Sequence, residues 1–134
     1  MATAQTPGLD TIKLAMAETN ALFNHEVFLK RNFAALDDVY TADARILPPG
    51  SPMISGREAI RTFWSELVKS ADARSVELVS DDVMHAGDGV VEIGHATLTM
   101  QGESAAVMTV KYVVYWRQEK NRWKWHVDIW NPNA

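Results

Sequence analysis

The chain contains no cysteine, which excludes a thiol nucleophile, a cysteine-ligated zinc or iron–sulfur site and a disulfide framework. It also lacks any run near the roughly 18 apolar residues of a membrane-spanning helix, and Met1 to Asp10 lack the basic start and apolar stretch of a signal peptide. A reducing cytoplasm is the expected location, with no membrane partner. Basic residues are scattered, and 17 acids against 13 bases leave a net charge of −4. The densest basic group, Arg117, Lys120, Arg122 and Lys124, sits at a strand-turn-strand junction and reads as a solvated turn, so nucleic acid is not an expected partner. The four histidines show no HExxH spacing, and His126 with Asp128 supplies only two ligands, so no metal is expected. With no Gly-rich phosphate loop and no GxSxG elbow, nucleotide cofactors and acyl-enzyme chemistry are disfavoured as well; no cofactor is expected.

What is present is a patterned single domain. The 134 residues suffice to bury roughly two thirds of the surface an unfolded chain exposes. Residues 1–8 are expected to be a flexible terminus and 9–134 one domain. Ile12, Met16, Phe23 and Val27 fall at helical spacing over Leu9 to Lys30. A short helix follows, with Asn32 as its N-cap and Phe33, Leu36, Val39 and Tyr40 as its buried stripe. Ala44 to Leu47 reads as extended and ends in Pro48-Pro49-Gly50-Ser51-Pro52, which admits no helix. Gly56 opens a third helix with the stripe Ile60, Phe63, Trp64 and Leu67, and Glu58 lies near its positive end. Four strands are predicted at Ser75–Met84, Val90–Met100, Ala105–Glu119 and Trp123–Trp130, joined at Ala86-Gly87-Asp88-Gly89, Gln101-Gly102-Glu103 and Lys120-Asn121. Helices first and an antiparallel meander afterwards predict an α+β fold with a curved sheet over the helices.

Several of these segments carry a resemblance. Tyr40-Thr41-Ala42-Asp43-Ala44, Pro48-Pro49-Gly50, Gly56 to Trp64, Lys111-Tyr112 and Trp123-Lys124-Trp125 resemble the ketosteroid-isomerase and nuclear-transport-factor-two superfamily, and within it the SnoaL-like proteins. The resemblance spans about residues 9 to 130 and implies a cone: a bent, mixed and mostly antiparallel sheet around three amino-terminal helices. It further implies a deep internal pocket and a homodimer formed through the outer sheet face. The superfamily includes isomerases, dehydratases, cyclases, epoxide hydrolases and assembly domains, so membership does not choose a reaction. Alignment on Asp43-Ala44 and Gly56 puts Pro48 where ketosteroid isomerases carry their aspartate base. Their oxyanion tyrosine falls near Asn24 and their protonated aspartic acid near Val113. A steroid isomerase of that design is therefore not expected.

Strand alternation anchored by the same alignment sends Glu92, Gly94, Ala96 and Leu98 to the pocket side of one strand. It sends Lys111, Val113 and Tyr115 to that side of the next, and His126, Asp128 and Trp130 to that side of the last. The other face would then carry Tyr112, Val114, Trp116, Trp123, Trp125, Val127 and Ile129, too apolar for water, and would form the dimer interface. Within the pocket, Asp128 is the first candidate for general acid or base, because an apolar surrounding raises a carboxyl pKa. His126 is a candidate proton shuttle, and Lys111 a candidate for polarising a carbonyl. Asn24, Tyr40, Trp64, Glu92, Tyr115 and Trp130 complete the expected ligand-binding set, with the Tyr40 hydroxyl able to orient a ligand oxygen. Six of these have a structural alternative: an ion pair of Asp128 with Lys111 or Arg45, a hydrogen-bonded His126, an inert Glu92–Lys111 pair, and Tyr40 and Trp64 as core. Two function classes stay open. One is a cofactor-free isomerase, dehydratase or cyclase acting on a small hydrophobic molecule, and the other is a non-catalytic ligand-binding or assembly module.

Overall fold

The computed structural model describes residues 8–100 and 106–133. Helix α1, Leu9–Leu22, widens into a π-helical segment, Phe23–Leu29. A 3-10 turn, Phe33–Ala35, leads to the one-turn helix α2, Leu36–Val39, and then to strand β1, Tyr40–Leu47. Strand β2, Ile54–Ser55, precedes helix α3, Arg57–Ser70. Strands β3, Ala73–Ala86, β4, Gly89–Met100, β5, Val107–Glu119, and β6, Arg122–Pro132, complete the order. They form one six-stranded sheet in the order β2-β1-β6-β5-β4-β3, antiparallel except where β1 runs parallel to β6. The expected α+β architecture, a mixed and mostly antiparallel sheet folded over three helices, is what the chain adopts. The predicted Gln101-Gly102-Glu103 turn and all of the expected flexible terminus but Gly8 lie outside the described residues.

Local chemistry accounts for the joins. Lys120 and Asn121 both take positive φ, 52° and 64°, the pairing required by the two-residue turn that matches strand twist. Gly56 precedes α3 at φ 90°, a conformation that favours glycine. Asn32 differs from expectation: its side chain donates to Glu26 Oε1 and makes no capping bond to the following helix. Tyr40 begins β1 instead of ending the short helix, because β6 offers it a parallel partner in Trp125.

The core lies between the concave sheet face and the helices. Ile12, Met16, Phe23, Val27 and Phe28 from the first helix meet Trp116, Trp123 and Trp125 from the sheet. The buried hydroxyl of Thr19 donates to the Trp123 carbonyl at 2.7 Å and ties α1 to β6. Phe23 packs on Trp64 and Trp125 with ring centroids 5.1 and 4.7 Å apart, spacings at which aromatic pairs add to burial.

The β5 register corrects the predicted faces. Glu92 stands opposite Val114, Gly94 opposite Tyr112 and Ala96 opposite Val110, so Tyr112, Val114 and Trp116 share the concave face with Glu92. Tyr112, Val114, Trp116, Trp123 and Trp125 are all buried within this one chain and do not form an outer interface. Lys111, Val113 and Tyr115 take the convex face. Both registers of β5 are apolar, so alternation by itself carries no sign of which one faces inward.

Strand β6 adds a second correction. Its pairing with β5 shifts between Tyr115 and Trp116: Trp116 opposes Trp125, whereas Tyr115 opposes Val127. The extra residue is His126, and a bulge of this kind reverses the alternation downstream of it. Asp128 and Trp130 therefore share the inner face with Trp125, and His126 turns away from them. Among the predicted interface residues, Val127 and Ile129 do lie on the convex side, opposite Tyr115 and Val113.

Candidate functional site

A cavity of about 360 Å³ opens between α3, the end of the first helix and the concave sheet. Its wall is mostly aromatic and aliphatic: Phe23, Phe28, Phe63, Trp64, Trp125 and Trp130 contribute rings, with Leu98, Met100 and Val110 from the sheet. Trp64 and Trp130 stack with centroids 5.2 Å apart and planes 23° from parallel. Asp128 lines the same space and is almost wholly buried.

Three side chains form a directed chain at that carboxyl. The Trp64 Nε1–H donates to the Tyr40 hydroxyl at 3.0 Å, and Tyr40 donates to Asp128 Oδ2 at 2.7 Å. Each comes from a different element: Trp64 from the inner stripe of α3, Tyr40 from the first residue of β1, Asp128 from β6 beyond the bulge. Burial pushes the Asp128 carboxyl up to about 7; the Tyr40 hydrogen bond opposes this and the nearby Glu92 charge adds to it. Tyr40 is raised well above its ordinary value by burial and by the Asp128 charge. At neutral pH, Asp128 thus exists in both protonation states, the condition for a group that both takes and returns a proton. Neither Lys111 nor Arg45 pairs with it among the described residues.

The remaining predicted site residues are dispersed. Glu92 is buried, but it accepts from Tyr112 Oη and Trp116 Nε1, both at 3.0 Å, and has no bond to Lys111. Burial raises its carboxyl above the ordinary range despite those two donors. It faces a different, polar groove of about 620 Å³ between the first helix and β3, which Asn24 also lines. Asn24 is occupied there in accepting the Val76 backbone N–H at 2.9 Å. Lys111 is exposed on the convex face, beside His95 in register. Tyr115 donates to the Ala86 carbonyl at 3.4 Å and lies edge-on to His126. His126 meets the Thr41 hydroxyl through Nδ1 at 2.8 Å and sits 3.7 Å from Asp43. Burial lowers the His126 pKa, and the ring is on the other side of the sheet from Asp128.

Alternation missed Tyr112 and Trp125 as cavity walls. A signal for Tyr112 was present in Gly94: a Cβ there would lie 2.5 Å from the Tyr112 ring and from the Val79 carbonyl oxygen. A glycine in mid-strand often marks such a close approach, and this one puts Tyr112 on the face that carries Glu92.

Among the described residues no group of three or more histidine or carboxylate side chains is placed to hold a metal ion. No described helix is long and apolar enough to cross a membrane. No curated protein matches the chain in sequence. Solved structures share the fold at low identity. An NTF2-like protein with a cystatin-like fold from Novosphingobium aromaticivorans superposes with a TM-score of 0.78 at 14% identity, covering 94% of this chain and 84% of that one. A protein of unknown function with a cystatin-like fold from Nostoc punctiforme gives 0.74 at 15%, covering 98% and 96%. The hexachlorocyclohexane dehydrochlorinase LinA-type3 from Novosphingobium barchaimii gives 0.69 at 16%, covering 94% and 90%. At such identities the likeness is one of fold. The model of the SnoaL-like domain matches residues 21–126, most of the helices and sheet that build the cavity, and the chain accordingly belongs to the SnoaL-like domain family.

Proposed function

We propose that the apolar cavity takes a small hydrophobic molecule and that Asp128 moves a proton on it in cofactor-free chemistry of the isomerisation, dehydration or cyclisation type. The observation that carries this reading is the carboxyl of Asp128, pushed up to about 7, at an apolar cavity with Tyr40 as its hydrogen-bond donor. Ionised, it accepts a proton from the ligand; protonated, it returns one to another ligand atom. Tyr40 serves as a positioning residue here, because its own proton is directed at Asp128. Its expected role of orienting a ligand oxygen, like the expected role of Lys111 in polarising a carbonyl, is given up in this scheme. That a protein of the same fold carries the name hexachlorocyclohexane dehydrochlorinase is consistent with catalysis on this scaffold. A ligand carrier would use the same cavity without turnover.

The test is a screen of small hydrophobic alcohols, ketones and halides for turnover, followed by Asp128→Asn on any substrate found. Loss of roughly 10²- to 10⁴-fold in kcat is expected for a positioned proton-transfer group. Unchanged turnover in the variant would sink the assignment, and binding without turnover throughout would favour the carrier.

We also infer that two copies associate through the convex sheet face. Ile93, Val113 and Ile129 are exposed there at 41, 41 and 39%, on adjacent strands and in register with one another. A contiguous apolar patch of this kind on a sheet is a usual mark of an interface.

A further inference from the structure

The hydrogen-bonding capacity of the cavity wall is one-sided. Trp64 spends its N–H on Tyr40, Trp125 spends its own on Asn20 Oδ1 at 3.2 Å, Tyr112 donates to Glu92, and Tyr40 donates to Asp128. Ser51 donates to the Pro52 carbonyl. The one other polar ring among the described lining residues, Trp130, is partly buried, and its N–H has no described partner. No lysine, arginine or histidine is among the described residues that line the space. Among the described residues, the one charged group that the cavity presents to a ligand is therefore the Asp128 carboxyl, with Oδ2 engaged by Tyr40 and Oδ1 without a described partner.

Two consequences follow from elementary electrostatics. An ionised carboxyl in an apolar cavity without a cation is uncompensated, and a ligand that donates a proton or carries positive charge relieves it. A ligand whose polar end only accepts leaves it unrelieved and brings its own unpaired oxygen into apolar surroundings. The aromatic walls add to the first case, since a cation over Trp or Phe faces gains further attraction. Size is limited as well: about 360 Å³, at the roughly 30 Å³ that a water molecule occupies in the liquid, corresponds to about a dozen non-hydrogen atoms, smaller than a four-ring skeleton.

Building on the ligand site proposed above, we infer that the cavity selects a compact hydrophobic ligand whose polar end donates a hydrogen bond, an amine first and an alcohol second, over ketones and carboxylates of the same skeleton. The preference belongs to Asp128 and is removed by its protonation. Below its pKa the carboxyl becomes a donor, so ketones gain and amines lose.

The matched set is naphthylmethylamine, naphthylmethanol, acetylnaphthalene and naphthoate, titrated calorimetrically into the wild-type protein and into Asp128→Asn at about pH 8 and about pH 5.5. At the higher pH the amine and the alcohol are expected to bind at least about tenfold more tightly than the ketone, in line with a hydrogen bond to a charged group, and the naphthoate most weakly. At the lower pH the gap between amine and ketone closes. In Asp128→Asn it closes at both pH values, and the wild-type pH series stands by itself if the variant folds poorly. A ketone that matches the alcohol at pH 8, or an amine preference that survives in Asp128→Asn, overturns the inference while leaving the cavity as a ligand site. Absence of binding by all four compounds at both pH values overturns the inference and the ligand site together.

Discussion

Replacing Asp128 by asparagine removes an ionisable group from a place where ionisation is costly, and the cost can be read without any substrate. In the folded protein the carboxyl is pushed from an ordinary 3.8 up to about 7, burial being the largest cause. At 1.36 kcal/mol per unit, a difference of about three units between folded and unfolded states corresponds to on the order of 4 kcal/mol. The sign follows from proton binding. The folded state holds the proton more tightly than the unfolded chain, so this contribution to stability is fully present below about pH 4, declines as pH rises, and is lost above about pH 7. Asparagine keeps an oxygen that can accept the Tyr40 proton and titrates nowhere in this range. Urea unfolding of both proteins in half-unit steps from about pH 4.5 to 8.5 gives the difference in unfolding free energy, in which groups common to both cancel. The variant is expected to gain on the wild type by about 1.4 kcal/mol per pH unit up to about pH 7 and to level off beyond it. A difference independent of pH across that window would mean that Asp128 titrates as a solvated carboxylate. The buried dyad and the proposed chemistry would both fall with it.

Three further outcomes are expected. Burial alone would raise Glu119, yet the Ala42 N–H at 2.9 Å, Lys124 and Arg57 outweigh it and hold the carboxyl at about 2. Its contribution is therefore present above about pH 4.5 and lost as pH falls toward 2, and Glu119→Gln should cost about 1–3 kcal/mol at neutral pH with the gap narrowing in acid; a gap that persists at pH 2 in urea titrations would contradict this. Gly89→Ala places a methyl against the Trp116 carbonyl oxygen and 2.8 Å from the Tyr115 ring, and because the first obstacle is backbone the loss should reach about 1–3 kcal/mol or more, seen as a lowered Tm; an unchanged Tm would show that the hairpin yields freely. Val113→Asp puts a charge on the convex apolar patch, and sedimentation should show a dimeric wild type and a monomeric variant of the same far-UV spectrum; a wild type that is monomeric at about 100 μM would remove the interface.

Much of this protein was legible in its residues. The stripe Ile60, Phe63, Trp64 and Leu67 describes α3, the Lys120-Asn121 turn sets the last hairpin, and the order of helices before strands implies the α+β class. A buried carboxyl at the cavity was legible too, in Asp128 as an acid within an apolar strand. What the residues left open is which way β5 faces and whether His126 and Asp128 act together. Alternation assigns a face only when one register is polar, and Val107 to Trp116 is apolar in both. The choice was made by packing, with Tyr112 fitted over Gly94 and Trp116 edge-on to Trp125 and bonded to the buried Glu92. The partnership of His126 with Asp128 was broken by one extra residue in the β5–β6 ladder, a displacement that arises only when the two strands pair. The proton affinity of Asp128 was likewise decided in three dimensions. It depends on water being excluded by rings brought from the π-helical segment, α3 and β6, and on a hydroxyl 88 positions away in the chain, contacts that spacing along one strand does not encode.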